Sequence, residues 1–131
     1  MIDPIAVGLT KEYIAEDDRT SEKPTKWFVG ALDSFMQSKI TSLHISDEEV
    51  TQGKKRSEQL QEFNFSIVKY GLRGFENFGD VKFKTEKIKA FDRDVEIVPD
   101  EIIAKIPLKI IHELAAAIWL GNKVSEELRK N

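Results

Sequence analysis

No cysteine occurs among the 131 residues. Its absence removes disulfides, thiolate zinc sites, iron–sulfur ligation and a cysteine nucleophile together, and makes the cytosol the expected compartment. Histidine is almost as scarce, with only His44 and His112. His112-Glu113 opens like a zinc-protease motif, but four residues on stands Ala116, so the second ligand on that helix face is missing. No metal and no cofactor is expected. Also missing are a Gly-x-Ser-x-Gly elbow, a phosphate-binding Gly-x-x-x-x-Gly-Lys and a Gly-x-Gly-x-x-Gly after a strand. No carboxylate pair sits in an apolar setting that would raise a pKa. The expectation is a protein that is not an enzyme, the alternative being a site built from scattered residues.

Long apolar runs are lacking as well. The most apolar stretch, Leu108 to Leu120, is interrupted by Lys109, His112 and Glu113, well short of the roughly 20 residues that span a bilayer. Met1-Ile2-Asp3-Pro4 has neither the basic start nor the apolar run of a signal peptide, so no membrane partner is expected. A basic excess is absent too. The net charge is −3, with ten acids against five bases in residues 1–52 and thirteen against fifteen in residues 53–131. Phosphate neutralisation needs more positive charge than this, and nucleic acid is not the expected partner.

What is present suits one globular domain over residues 1–131, with hydrophobic residues at 40% and charged residues at 33%. Leu9 to Ala15 alternates, with Leu9, Tyr13 and Ala15 on one face, and Lys26 to Leu32 is aromatic and β-branched. Both read as strands, joined as a hairpin by the polar stretch Glu16 to Thr25, which predicts an exposed loop with a mobile tip. Asp33 can cap a helix from Ser34 to about Ser42. Ser46-Asp47-Glu48-Glu49 has capping-box form, while Gly53 argues against one unbroken helix from there.

Ser57 to Leu72 is the clearest element. Leu60, Phe63, Ile67, Val68, Gly71 and Leu72 recur at three and four, which predicts an amphipathic helix ended by Gly74 as a left-handed C′ residue, with Phe75 folding back on the last turn. Val81 to Lys84 and Val95 to Val98 read as a second hairpin with a charged tip. Pro99-Asp100-Glu101 opens a short helix to about Lys105, Pro107 restarts the chain as another through Trp119, and Gly121-Asn122 ends that one. The tail from Ser125 to Asn131 has the charge order of one or two helical turns. The expected fold class is α+β: antiparallel hairpins (1–32 and 75–98) packed with one long central helix in a helical section (33–74) and a C-terminal helical segment (99–131).

Two basic features admit a nucleic-acid reading. Gly71-Leu72-Arg73-Gly74 matches the Gly-X-X-Gly loop of KH domains, but that loop joins two helices, whereas here Gly74 leads into Phe75-Glu76-Asn77-Phe78 and a strand. A helix end accounts for Gly74, and close helix packing for Gly71. Lys82, Lys84, Lys87 and Lys89 could track phosphates. Their alternation with Val81 and Phe83, and the nearby acids Glu86, Asp92, Asp94 and Glu96, give the plainer reading of a solvated strand face. The remaining signal is aromatic. Trp27, Phe75, Phe78 and Trp119 are the candidate protein-binding residues, since exposed aromatics anchor interfaces. For Phe75 and Phe78 burial is expected, locking helix to sheet; the alternative is an aromatic pair shown to a partner.

The run Val68-Lys69-Tyr70-Gly71-Leu72-Arg73-Gly74-Phe75-Glu76-Asn77-Phe78 resembles a group of small morphogenesis proteins of tailed bacteriophages. So do the earlier Pro24-Thr25-Lys26-Trp27, the helix from Pro107 to Leu120 and the ending Ser125-Glu126-Glu127-Leu128-Arg129-Lys130-Asn131. The likeness covers most of residues 24–131, with Phe75 where tryptophan is more usual. Such proteins are described as tail assembly chaperones or structural components. The resemblance implies a protein that binds an aggregation-prone tail or connector protein during assembly, in the host cytoplasm or the virion, with self-association open. It leaves two alternatives: a minor virion component at a tail, connector or capsid junction, and an intracellular regulator of a host protein.

Overall fold

The computed structural model describes residues 1–44 and 56–120. The capping box at Ser46, Gly53, the helix end at Gly121-Asn122 and the tail from Ser125 lie outside the described residues. Strand β1 (Thr10–Tyr13) pairs antiparallel with β2 (Lys26–Gly30), and β2 pairs antiparallel with β3 (Leu72–Glu76), so β2 is central. A second sheet is the hairpin β4 (Glu86–Ala90) and β5 (Arg93–Ile97). The helices are α1 (Ser34–His44), α2 (Arg56–Gly71), the short α3 (Asp100–Ile103) and α4 (Leu108–Trp119). The fold is α+β. Among the described residues no helix is long and apolar enough to cross a membrane.

Local chemistry explains most boundaries. Asp33 caps α1, its Oδ1 accepting the Met36 N–H at 2.9 Å, and the helix runs two residues past the predicted end. Pro99 and Pro107 precede α3 and α4, where a missing N–H removes no helical bond. On α4, Ile111, Leu114, Ala115 and Ile118 recur at three and four and are all buried. They meet Ile67 and Val68 of α2, and Trp27 and Val29 from one face of β2, in one apolar cluster that also takes Met36 and Ile40 of α1 and Ile102 and Ile103 of α3. At the crossing of α2 and α4 a Cβ on Gly71 would stand 2.4 Å from Cγ2 of Ile118, so the close approach expected there is real. The polar stretch after β1 carries a 3-10 turn, Glu16–Asp18, and Asp18 Oδ2 accepts the Thr25 N–H at 2.7 Å, drawing the two ends of the loop together.

Three expectations are corrected. Gly74 is no left-handed cap: α2 ends at Gly71, β3 begins at the next residue, and Gly74 lies opposite Phe28 in the ladder. It has no positive φ, and a Cβ there would meet the Phe28 ring at an ordinary 3.5 Å. Burial of Leu72 and pairing of Phe75 with Trp27 carry these residues straight from helix into sheet, so 75–76 belong to the first sheet and not to the second hairpin. Val81 to Lys84 forms no strand. Phe83 packs edge-on against Phe75 at 5.3 Å and Lys84 pairs with Glu101, which draws this segment onto the body of the protein; the true strand begins at Glu86. The first strand is also shorter than read, with Leu9 exposed before it and Ala15 buried beyond it.

Candidate protein-binding surface

The four aromatics singled out in the sequence fall in two places. Trp27 is 2% exposed and faces Phe75 across the β2–β3 ladder, with ring centroids 5.6 Å apart. Phe78 closes on both rings, 5.0 Å from Trp27 and 5.2 Å from Phe75. Phe75 and Phe78 are half-buried against the core, which Trp27 enters outright. Asn77, between them, has φ of 60°, a conformation asparagine tolerates, and its carbonyl accepts the Thr25 hydroxyl at 2.7 Å. Trp119 lies apart on α4, edge-on to Phe63 of α2 at 5.0 Å. These rings chiefly pack elements together.

A different pair of aromatics faces solvent. Phe35, in the first turn of α1, is 57% exposed, and Phe91, at the tip of the β4–β5 hairpin, is 49% exposed; their centroids are 5.2 Å apart. Arg93 lies over Phe35 at 5.4 Å and donates to Asp33 Oδ2 at 2.5 Å, which ties the hairpin to the helix cap. Beside them is an open groove of about 640 Å³ whose lining includes Ile2, Ile5 and Val7. Exposed Ile2 and Val7 extend the apolar surface. Burial works against ionisation of Asp33, but the Met36 N–H and Arg93 outweigh it and hold the carboxyl below its ordinary value.

Phe91 stands where its side chain is out of place. Ala90 pairs with Arg93, leaving Phe91-Asp92 as a two-residue turn with φ of 56° and 58°. Positive φ at both central positions is the type I′ pattern, which favours Asn-Gly. A bulky residue held there costs roughly 1–2 kcal/mol. The sequence reading missed this site because Phe-Asp is no turn signal and the whole charged stretch between Lys84 and Val95 was read as the hairpin tip. The usable signal was the matched runs Glu86 to Ala90 and Arg93 to Ile97 around a two-residue gap.

A second groove, about 290 Å³, shares Val7, Asp33 and Arg93 with the first and continues to Arg73 and Glu96. Desolvation lowers the Arg73 pKa, opposed by the charges of Glu96 and Asp33. Among the described residues no group of three or more histidines or carboxylates is placed to hold a metal ion. No family model, curated protein or solved structure matches the chain.

Proposed function

We propose that this protein is a non-catalytic morphogenesis factor of a tailed phage that holds an apolar segment of a tail protein against the Phe35–Phe91 surface during assembly. The observation that carries the binding reading is Phe91 itself. A backbone in an unfavoured conformation holds a large ring half-exposed, in contact with the equally accessible Phe35, and an exposed aromatic pair is useful to a partner. Arg93 adds the arginine-beside-aromatic composition of interface centres, held rigid by Asp33 before any partner arrives. The phage assignment is supported by the segments from Pro24 to Trp27 and from Val68 to Phe78, and by the helix from Pro107.

The test is co-expression with the tail and connector proteins of the same phage, scoring how much of each stays soluble. The native chain is expected to raise the soluble yield of one of them, with Phe35→Ser and Phe91→Asn abolishing the effect while both variants stay folded. Equal yields with native and variant chains would move the binding site elsewhere. No gain for any tail or connector protein would sink the assembly reading. Mass spectrometry of purified virions separates a departing chaperone from a minor structural component, which would be retained in the particle.

A further inference from the structure

One edge of the three-stranded sheet has a surface of a different kind. β1 is an edge strand: among the described residues it pairs with β2 and with nothing else. Alternate residues of such a strand turn their N–H and C=O groups outward, and only another extended chain satisfies a row of them. Beneath that edge, between β1 and α4, runs a mainly apolar trough of about 380 Å³, lined by Lys11, Tyr13 and Val29 from the sheet, Ala116 and Ala117 from the helix and Leu120 just past its end. The two alanines leave the room. Glu113 closes the trough at Tyr13, one carboxylate oxygen accepting from the Tyr13 hydroxyl and the Glu16 N–H, each at 3.0 Å. Its other oxygen is shielded from solvent and has no hydrogen-bond partner among the described residues, an acceptor left over.

From this geometry we infer that β1 takes an additional strand from another protein, with that strand's alternate side chains lying in the trough against α4. The chemistry of the occupant follows from the two charged residues of β1. Glu12 is occupied by Lys26 at 3.5 Å, on the face away from the trough. Lys11 lines the trough and makes no ion pair with any described residue. A strand laid along β1 therefore suits an acidic residue opposite Lys11 and an apolar residue two positions away, over Ala116 and Ala117.

A second copy of this chain fits poorly. Centred antiparallel pairing of β1 with itself, helices on the same side, sets Lys11 against Lys11 or Glu12 against Glu12, and like charges directly opposite are destabilising. The site is distinct from the Phe35–Phe91 surface and does not depend on the phage assignment.

The probe is a blocked peptide, Val-Thr-Asp-Thr-Val-Thr-Val, titrated into the isotope-labelled full chain and followed by NMR and amide exchange. Saturable shifts confined to residues 10–13 and 113–120 are expected, with slowed exchange of β1 amides. Replacing Asp by Lys in the peptide, or Lys11→Glu in the protein, should weaken binding roughly fivefold, the scale of one cross-strand charge pair. Ala116→Phe, at an exposed position, should fill the trough and abolish binding, and N-methylation of the peptide backbone should do so without touching the protein. Phe91→Asn should leave this affinity unchanged, which separates the site from the proposed tail-protein surface. No saturable shift at about 1 mM peptide, or equal binding of the N-methylated peptide, would overturn the inference. So would concentration-dependent dimerisation protecting β1 without peptide.

Discussion

At the scale of single residues, some side chains conflict with the preference of their local backbone and others agree with it. Asp33 belongs to the second kind: it caps α1 and binds Arg93. Asp33→Ala should cost about 1–2 kcal/mol, read as a lower midpoint in urea, with Asp33→Asn losing less because the amide oxygen still caps. Its carboxyl ionises more readily in the folded state than unfolded. That contribution is fully present above the ordinary aspartate pKa and is lost as pH falls through the folded value. The acid limb of the stability profile should therefore flatten in Asp33→Asn, and an unchanged limb would assign the acid sensitivity to other carboxylates. Phe91 belongs to the first kind. Phe91→Asn combined with Asp92→Gly gives the turn the residues its φ values favour, and the melting temperature should rise by a few degrees. A fall would show that the ring stabilises the hairpin more than its backbone strains it.

At the scale of elements, the helices and the β1–β2 hairpin were largely legible in the sequence, whereas β3 and the first strand of the second hairpin were not. α4 announces itself by the period of Ile111, Leu114, Ala115 and Ile118, and α1 by the oxygen of Asp33, because both signals are local. The end of α2 depends on distant residues. Gly71, read as a packing glycine, does face Ile118 across a helix crossing, but Gly74, read as a helix end, sits in a strand beside Phe28. Their alanine variants should separate cleanly. Gly71→Ala overpacks the α2–α4 contact and should cost about 1–3 kcal/mol, largely recovered by adding Ile118→Ala, whereas Gly74→Ala should change stability by less than about 0.5 kcal/mol. Equal losses at the two positions would mean that Gly74 is needed for its conformation after all. The second hairpin was misplaced for a related reason: the alternation of Val81 to Lys84 has the period of a strand, but the ladder partner that makes a strand was taken by Glu86 to Ala90.

At the scale of the molecule, one apolar cluster takes side chains from helices and sheets alike, from Trp27 on β2 through Ile40, Ile67 and Ala90 to Ile118 on α4. Such a core should unfold in one step, because no element can leave without exposing surface that its neighbours share. The candidate aromatics of the sequence reading then serve as reporters. Trp27 sits with Phe75 and Phe78 where β2 meets β3, and Trp119 sits with Phe63 where α4 meets α2, so the two indoles watch separate parts of the same core. Single-tryptophan variants, Trp27→Phe and Trp119→Phe, should each give a fluorescence melt that coincides with the loss of far-ultraviolet helix signal in that same variant. Phe78→Ala, removing a half-buried ring that touches both Trp27 and Phe75, should lower stability by about 2–4 kcal/mol and shift both signals together. Early loss of the Trp27 signal, with Trp119 and the helices intact, would instead show that the three-stranded sheet opens by itself. An edge strand used for augmentation would then be the least stable part of the molecule.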